Sequence, residues 1–296
     1  MPDIGYFPDT FFPTSERDSV ISVKSQTPSP YAFLVLATVV SFLNLRPSVA
    51  STEDFGDALA RQITDAKIHT LALAEFVTQE GENSPRGSYL AARLAENWSE
   101  HHAELVVVKP ASFTEALAAQ KLTLQALNTR EPLKQIGNTL GVEALMFGTV
   151  KNTADGYLLT VTMRTVSDGA LVLTREQPIG HSRVLDSLAS TDADTTASAS
   201  RAGVNGVGIP VCNYMPTPIF PTGARKAKVS AASAILLAVI TPEGRLTNIR
   251  VTKDPGYGFA ERAVEALTEW RCKPALGKDK KPTAVTVPIE ITFRDY

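Results

Sequence analysis

Cysteine is nearly absent from this 296-residue chain: Cys212 and Cys272 are all it has. Histidine is scarce as well, with His69, His101, His102 and His181. The chain also lacks a P-loop, a Gly-x-Ser-x-Gly elbow and a His-Glu-x-x-His pair. Those absences exclude the nucleotide-hydrolysing, serine-hydrolase and zinc-protease chemistries that the motifs carry. Gly203-Val-Asn-Gly206-Val-Gly208 runs into Pro210 rather than a helix, so it is no dinucleotide fingerprint. His101 and His102 stand beside Glu100 and Glu104. Adjacent residues point in different directions, so a solvated helix end is expected there and no metal site. No stripe of Lys and Arg interleaved with aromatics occurs, which argues against nucleic acid. No catalytic site, metal or cofactor is expected: the chain reads as a non-enzyme.

Long apolar runs are missing too. The longest is Tyr31–Leu45 (YAFLVLATVVSFLNL), with Arg17 and Lys24 upstream. It falls short of the roughly 20 residues a spanning helix needs and suits the core of a signal peptide. Pro47 breaks it, and Ser48-Val49-Ala50 offers the small residues a signal peptidase reads. Residues 1–50 are therefore expected to be a signal peptide cleaved after Ala50, with an uncleaved membrane anchor through 31–45 as the alternative. No cysteine near residue 50 could carry a lipid. The expected compartment is the periplasm. There, Cys212 and Cys272 would form either a disulfide or two separate buried thiols. A bond closing that loop would add roughly 3–4 kcal/mol on the chain-entropy account.

What is present is a globular composition, 44% hydrophobic and 20% charged. Its charge is uneven. From Ser51 to Ser200 there are 12 Lys and Arg against 19 Asp and Glu; from Ile209 to Tyr296 there are 13 against 8. An acidic half thus precedes a basic one, either as two differently solvated surfaces or as a basic face for an acidic partner.

Periodicity divides the chain further. Thr70–Phe76 is a short apolar run of strand length after a polar, helix-prone lead-in at 51–67. Gly81–Pro85 reads as a loop. Leu90, Leu94 and Trp98 mark one face of a helix over 88–100. Glu104–Lys109 reads as a buried strand stopped by Pro110. Ser112 and Glu115 form a capping box, and Leu133, Ile136 and Leu140 form the face of a helix ended by Gly141. Three strands follow, at 144–151, 157–166 and 170–178, joined by Asp155-Gly156 and Asp168-Gly169. Residues 51–180 are therefore an α/β domain ending in an antiparallel meander. Residues 181–208 lack apolar periodicity and read as a flexible linker.

Residues 209–296 form a second, α+β domain. A strand over 234–241, a turn at Gly244 and a returning strand over 246–253 precede a helix at 259–270. That helix buries Phe259, Ala263, Ala266 or Leu267, and Trp270, and it turns Glu261, Arg262, Glu265 and Glu269 to water. The last strand, 284–293, alternates strictly: Val285, Val287, Ile289, Ile291 and Phe293 occupy one face. Pro288 lies inside it, and proline is confined to edge strands. An edge can accept another chain by backbone pairing, or the proline can merely guard it.

Pro210, Tyr214, Pro218–Pro221, Gly244, Gly256-Tyr257-Gly258, Trp270-Arg271-Cys272-Lys273-Pro274-Ala275 and the closing strand to Phe293 together resemble the TonB C-terminal domain family. The most specific part is Trp270-Arg271-x-x-Pro274-Ala275. The resemblance implies an antiparallel sheet crossed by one helix, sited in the periplasm. It also implies partners among envelope proteins, including outer-membrane receptors, that add to an edge strand. Carried over, the partner-binding strand is Ala284, Val285, Thr286, Val287, Pro288, Ile289, Glu290, Ile291 and Thr292. Gly244, Trp270, Arg271 and Pro274 are motif residues. The alternative is a membrane-anchored energy transducer, against which stand the lack of histidine in 31–45 and a linker of roughly 30 Å. More weakly, 67–178 resembles envelope assembly domains of the FlgO and CsgG kind, through LALAEF, Gly137, Gly141 and Phe147-Gly148.

Overall fold

The computed structural model describes residues 52–191 and 199–295. The signal-peptide or anchor segment at 1–50 lies outside them. No helix among the described residues is long and apolar enough to cross a membrane.

A five-stranded sheet forms the first half. Its strands are β1 (Thr70–Leu73), β2 (Val106–Val108), β3 (Ala144–Thr153), β4 (Gly156–Thr165) and β5 (Leu171–Gly180), in the order β2-β1-β3-β4-β5. β1 pairs in parallel with β2 and β3, while β3, β4 and β5 form the antiparallel meander. Strand alternation sorts side chains to opposite faces. Leu71, Leu73, Ala144 and Met146 meet α1 (Thr52–Asp65) and α2 (Pro85–His101). Ala72, Ala74 and Leu145 meet α3 (Pro110–Gln120) and α4 (Arg130–Leu140). Gly141 closes α4 with a left-handed cap, as the sequence suggested.

Three local expectations need correction. α2 starts at Pro85 because Ser84 caps it, its hydroxyl accepting from the Gly87 N–H at 3.1 Å. α3 starts at Pro110, and no side chain caps it, so Ser112 and Glu115 lie inside the helix instead of boxing its end. β2 is an edge strand with Val106 61% exposed, where a buried strand was expected.

The described part of 181–208 is not a free linker. It folds as α5 (Arg183–Ser187), a bridge from Leu188 to Ile249 and β6 (Ser200–Arg201). Leu185, Leu188 and Ala189 are buried. The anchor is Arg86, itself only 6% exposed. Its guanidinium donates to the carbonyls of Leu185 and Leu188, both at 2.9 Å, and to Asn152 Oδ1 and Ser190 Oγ. The same group stacks 4.3 Å over the Tyr157 ring.

The second half holds β7 (Val211–Tyr214), α6 (Thr222–Lys226), β8 (Ala231–Ile240), β9 (Leu246–Lys253), α7 (Phe259–Glu269), β10 (Arg271–Lys273), β11 (Ala275–Leu276), β12 (Pro282–Thr283) and β13 (Val285–Arg294). The main sheet runs β6-β13-β8-β9. α7 lies across it, with the Phe259 ring edge-on to Phe220 and tilted against Phe293 at 5.3 and 5.0 Å. Buried Ala234, Leu236, Ala238 and Ile240 face this helix from β8. Their core runs without a break into that of α1 and α2.

One expectation on α7 fails outright. Glu261 does not face water; it is 6% exposed, because α2 and the start of α3 close over that side of the helix.

Candidate functional site

The predicted docking strand is β13, which starts at Val285, one residue after the expected Ala284. It pairs with β8 in antiparallel register over ten residues, from Val285–Ile240 to Arg294–Ala231. Its other margin is covered at one end only, among the described residues. There β6 pairs in parallel with Val285 and Thr286, and the Ala202 N–H donates to the Thr286 carbonyl at 3.3 Å.

That bond fixes the direction of every backbone group in the strand. In an antiparallel ladder alternate residues present both N–H and C=O to the same neighbour. Thr286 points away from β8, so Pro288, Glu290, Thr292 and Arg294 do too. Val285, Val287, Ile289, Ile291 and Phe293 bond to β8 and pack their side chains on or near the core. Pro288 therefore removes an outward donor and leaves the β8 ladder intact. Among the described residues no strand lies opposite the outward groups around Glu290–Arg294, a shorter run than the expected Ala284–Thr292.

The other predicted residues have structural work to do. Gly244 has φ +76, and a Cβ there would lie 1.8 Å from the Cys272 carbonyl oxygen. The Cys272 N–H donates to the Gly244 carbonyl at 3.0 Å, so the turn and β10 are in direct backbone contact. Arg271 Nη1 donates to the carbonyls of Thr268, Glu269 and Trp270 and so caps the C-terminal end of α7. Trp270 is half-buried against the core, and Pro274 separates β10 from β11. Cys212 and Cys272 stand opposite one another on β7 and β10 and form a disulfide. No group of three or more potential metal ligands occurs among the described residues.

Sequence reasoning missed Arg86 and Glu261. Arg86 gives no local signal, since its partners lie about a hundred residues away. Glu261 occupies a helix position that only tertiary packing buries.

In the C-terminal segment one helix thus lies across a four-stranded sheet, and β13 has one margin paired at one end only among the described residues. Residues 216–294 match the family model described as Gram-negative bacterial TonB protein C-terminal, which bears out the resemblance read from the sequence. Among solved structures, the LpoB C-terminal domain from Salmonella enterica aligns at 12% identity over 45% of this chain and 100% of its own, with a TM-score of 0.35. The Pseudomonas aeruginosa TonB C-terminal domain aligns at 20% identity over 33% of this chain and 94% of its own, with a TM-score of 0.26. No curated protein matches the chain.

Proposed function

We propose that this chain is a non-enzymatic periplasmic adaptor of the bacterial envelope. The bare margin of β13 takes up an extended segment of a partner envelope protein by backbone pairing. The observation that carries the reading is the outward register of Glu290, Thr292 and Arg294, whose backbone groups have no strand opposite them among the described residues. Unpaired strand margins are templates for strand addition, and main-chain hydrogen bonds then supply the affinity. The family match at 216–294 supports the envelope setting. The organisation into an α/β domain over 51–180 and a TonB-like domain over 209–296 fits this role. In it, the first half serves as the platform that holds the second.

A photo-cross-linking residue at Thr292 tests this in cells. It should yield a discrete adduct with an envelope protein, and Glu290→Pro, which deletes an outward donor, should remove that adduct. A cross-linker at Lys253, on the opposite margin of the sheet, should stay silent. An adduct that survives Glu290→Pro, or appears equally from Lys253, would sink the edge-strand role.

A further inference from the structure

A cleft of about 340 Å³ separates α2 and the start of α3 from α7 and the 254–258 turn. That volume lies in the range of small-molecule sites. One part of its wall is aliphatic, with Ala92, Ala95, Pro110, Ala260 and Val264, and the rest is polar or charged. Glu261 stands in that wall at 6% exposure. The only hydrogen bond its carboxyl receives, among the described residues, comes from its own backbone N–H.

Lys109, Lys226 and Arg250 also line the cleft, and none of them forms an ion pair with Glu261 among the described residues. Arg93 pairs with Glu96, and Arg262 spans Glu96 and Glu265 at 3.5 and 2.9 Å. Lys109 holds its ammonium 4.7 Å over the Tyr257 ring. Asp254, on the rim, accepts from the Gly256 N–H at 2.8 Å and adds a second negative group facing the same space. A buried carboxylate without a counter-charge costs far more than one with a partner. The site thus has an acid at its depth, a partly aliphatic wall and, among the described residues, no cation paired with that acid.

We infer that this cleft binds a primary alkylammonium group, its charge on Glu261 and its aliphatic stem against the alanine-lined wall. The group could belong to a free aliphatic amine or to a lysine side chain of a partner. The inference does not depend on the β13 margin. Below neutral pH Glu261 meets its burial by holding a proton. Desolvation first, then Asp254 and Glu96, push its carboxyl up to about 7, against the weaker opposing pull of Arg93. Lys109 acts on Asp254, and Tyr89 hydrogen-bonds Glu265 on the same helix. An arriving ammonium replaces the proton, so its binding below neutral pH releases one.

Calorimetric titration of the full chain with n-hexylammonium checks this, run near pH 6 in two buffers of different ionisation enthalpy. Binding should release close to one proton, and 1-hexanol should bind about tenfold more weakly, since a charged hydrogen bond is lost. Glu261→Gln should weaken the ammonium by about tenfold and abolish proton release, leaving hexanol unchanged. Nα-acetyl-lysine methylamide separates the sources. Binding comparable to hexylammonium assigns the cleft to a lysine side chain, and markedly weaker binding assigns it to a free amine. Equal binding of hexanol and hexylammonium, or no proton release by the unsubstituted chain, overturns the inference and leaves an apolar cleft only.

Discussion

Arg86 shows how much one side chain can hold in this molecule. Buried guanidinium groups are tolerated only when their donors are satisfied, and here they reach two carbonyls, an amide and a hydroxyl on two separate segments. Arg86→Met keeps the stem but leaves the Leu185 and Leu188 carbonyls without this donor. It should cost about 2–4 kcal/mol in a urea titration. His102 gives a second residue-scale expectation. Its ring reaches Asp57 Oδ1 at 2.9 Å and Glu104 Oε1 at 3.2 Å. Burial opposes the charge, but the bonds to Asp57 and Glu104 outweigh it and raise the pKa. The folded chain therefore holds this proton more tightly than the unfolded one. The resulting stability is complete below the unfolded value of about 6.5 and is lost as pH climbs through the raised folded value. His102→Gln should accordingly lower the urea midpoint near pH 5 and leave it almost unchanged near pH 9. The opposite order would refute the assignment.

At the scale of elements, β13 makes two kinds of position from one strand. Replacing Ile289 with proline removes a donor from the β8 ladder and should cost about 2–3 kcal/mol. Replacing Glu290 removes an outward donor and should cost less than about 1 kcal/mol, as Pro288 already does without breaking the ladder. Melting curves of the two variants check the register; a larger loss at Glu290 than at Ile289 would mean that the alternation has been assigned the wrong way round. Elements like this were legible because strand alternation, Asp-Gly turns and the Gly141 cap are local signals. What escaped was set by distant contacts. The five residues of α5 are too few to show a period, and their anchor is Arg86 on α2. Glu261 shares a polar face with Glu265 and Glu269 in sequence, yet packing buries Glu261 and leaves Glu265 and Glu269 partly exposed. The strand itself could be read from Val285 to Phe293, but which half of it stays bare depends on β6, two residues with no pattern of their own.

For the molecule as a whole, the question is whether the two halves stand or fall together. The described residues form one compact unit, and one apolar core runs from Leu59 and Trp98 to Phe259 and Phe293. Across the junction, Tyr89 donates to Glu265 at 3.2 Å, Arg262 reaches Glu96, and Arg183 pairs with Glu269. The exposed pair adds little, and the half-buried network more, but the continuous apolar contact dominates. Such a core cannot lose one half without exposing the apolar surface of the other, so a single cooperative transition follows. The two tryptophans make this measurable, since Trp98 reports the first half and Trp270 the second. Urea unfolding followed in Trp98→Phe and in Trp270→Phe variants should give coincident midpoints once each substitution's own cost is subtracted. Arg86→Met, although placed in the first half, should move the Trp270 signal as far as the Trp98 signal. A Trp270 transition that ignores Arg86→Met would mean that the C-terminal half folds by itself. The cleft around Glu261 would then be a contact between two independent bodies.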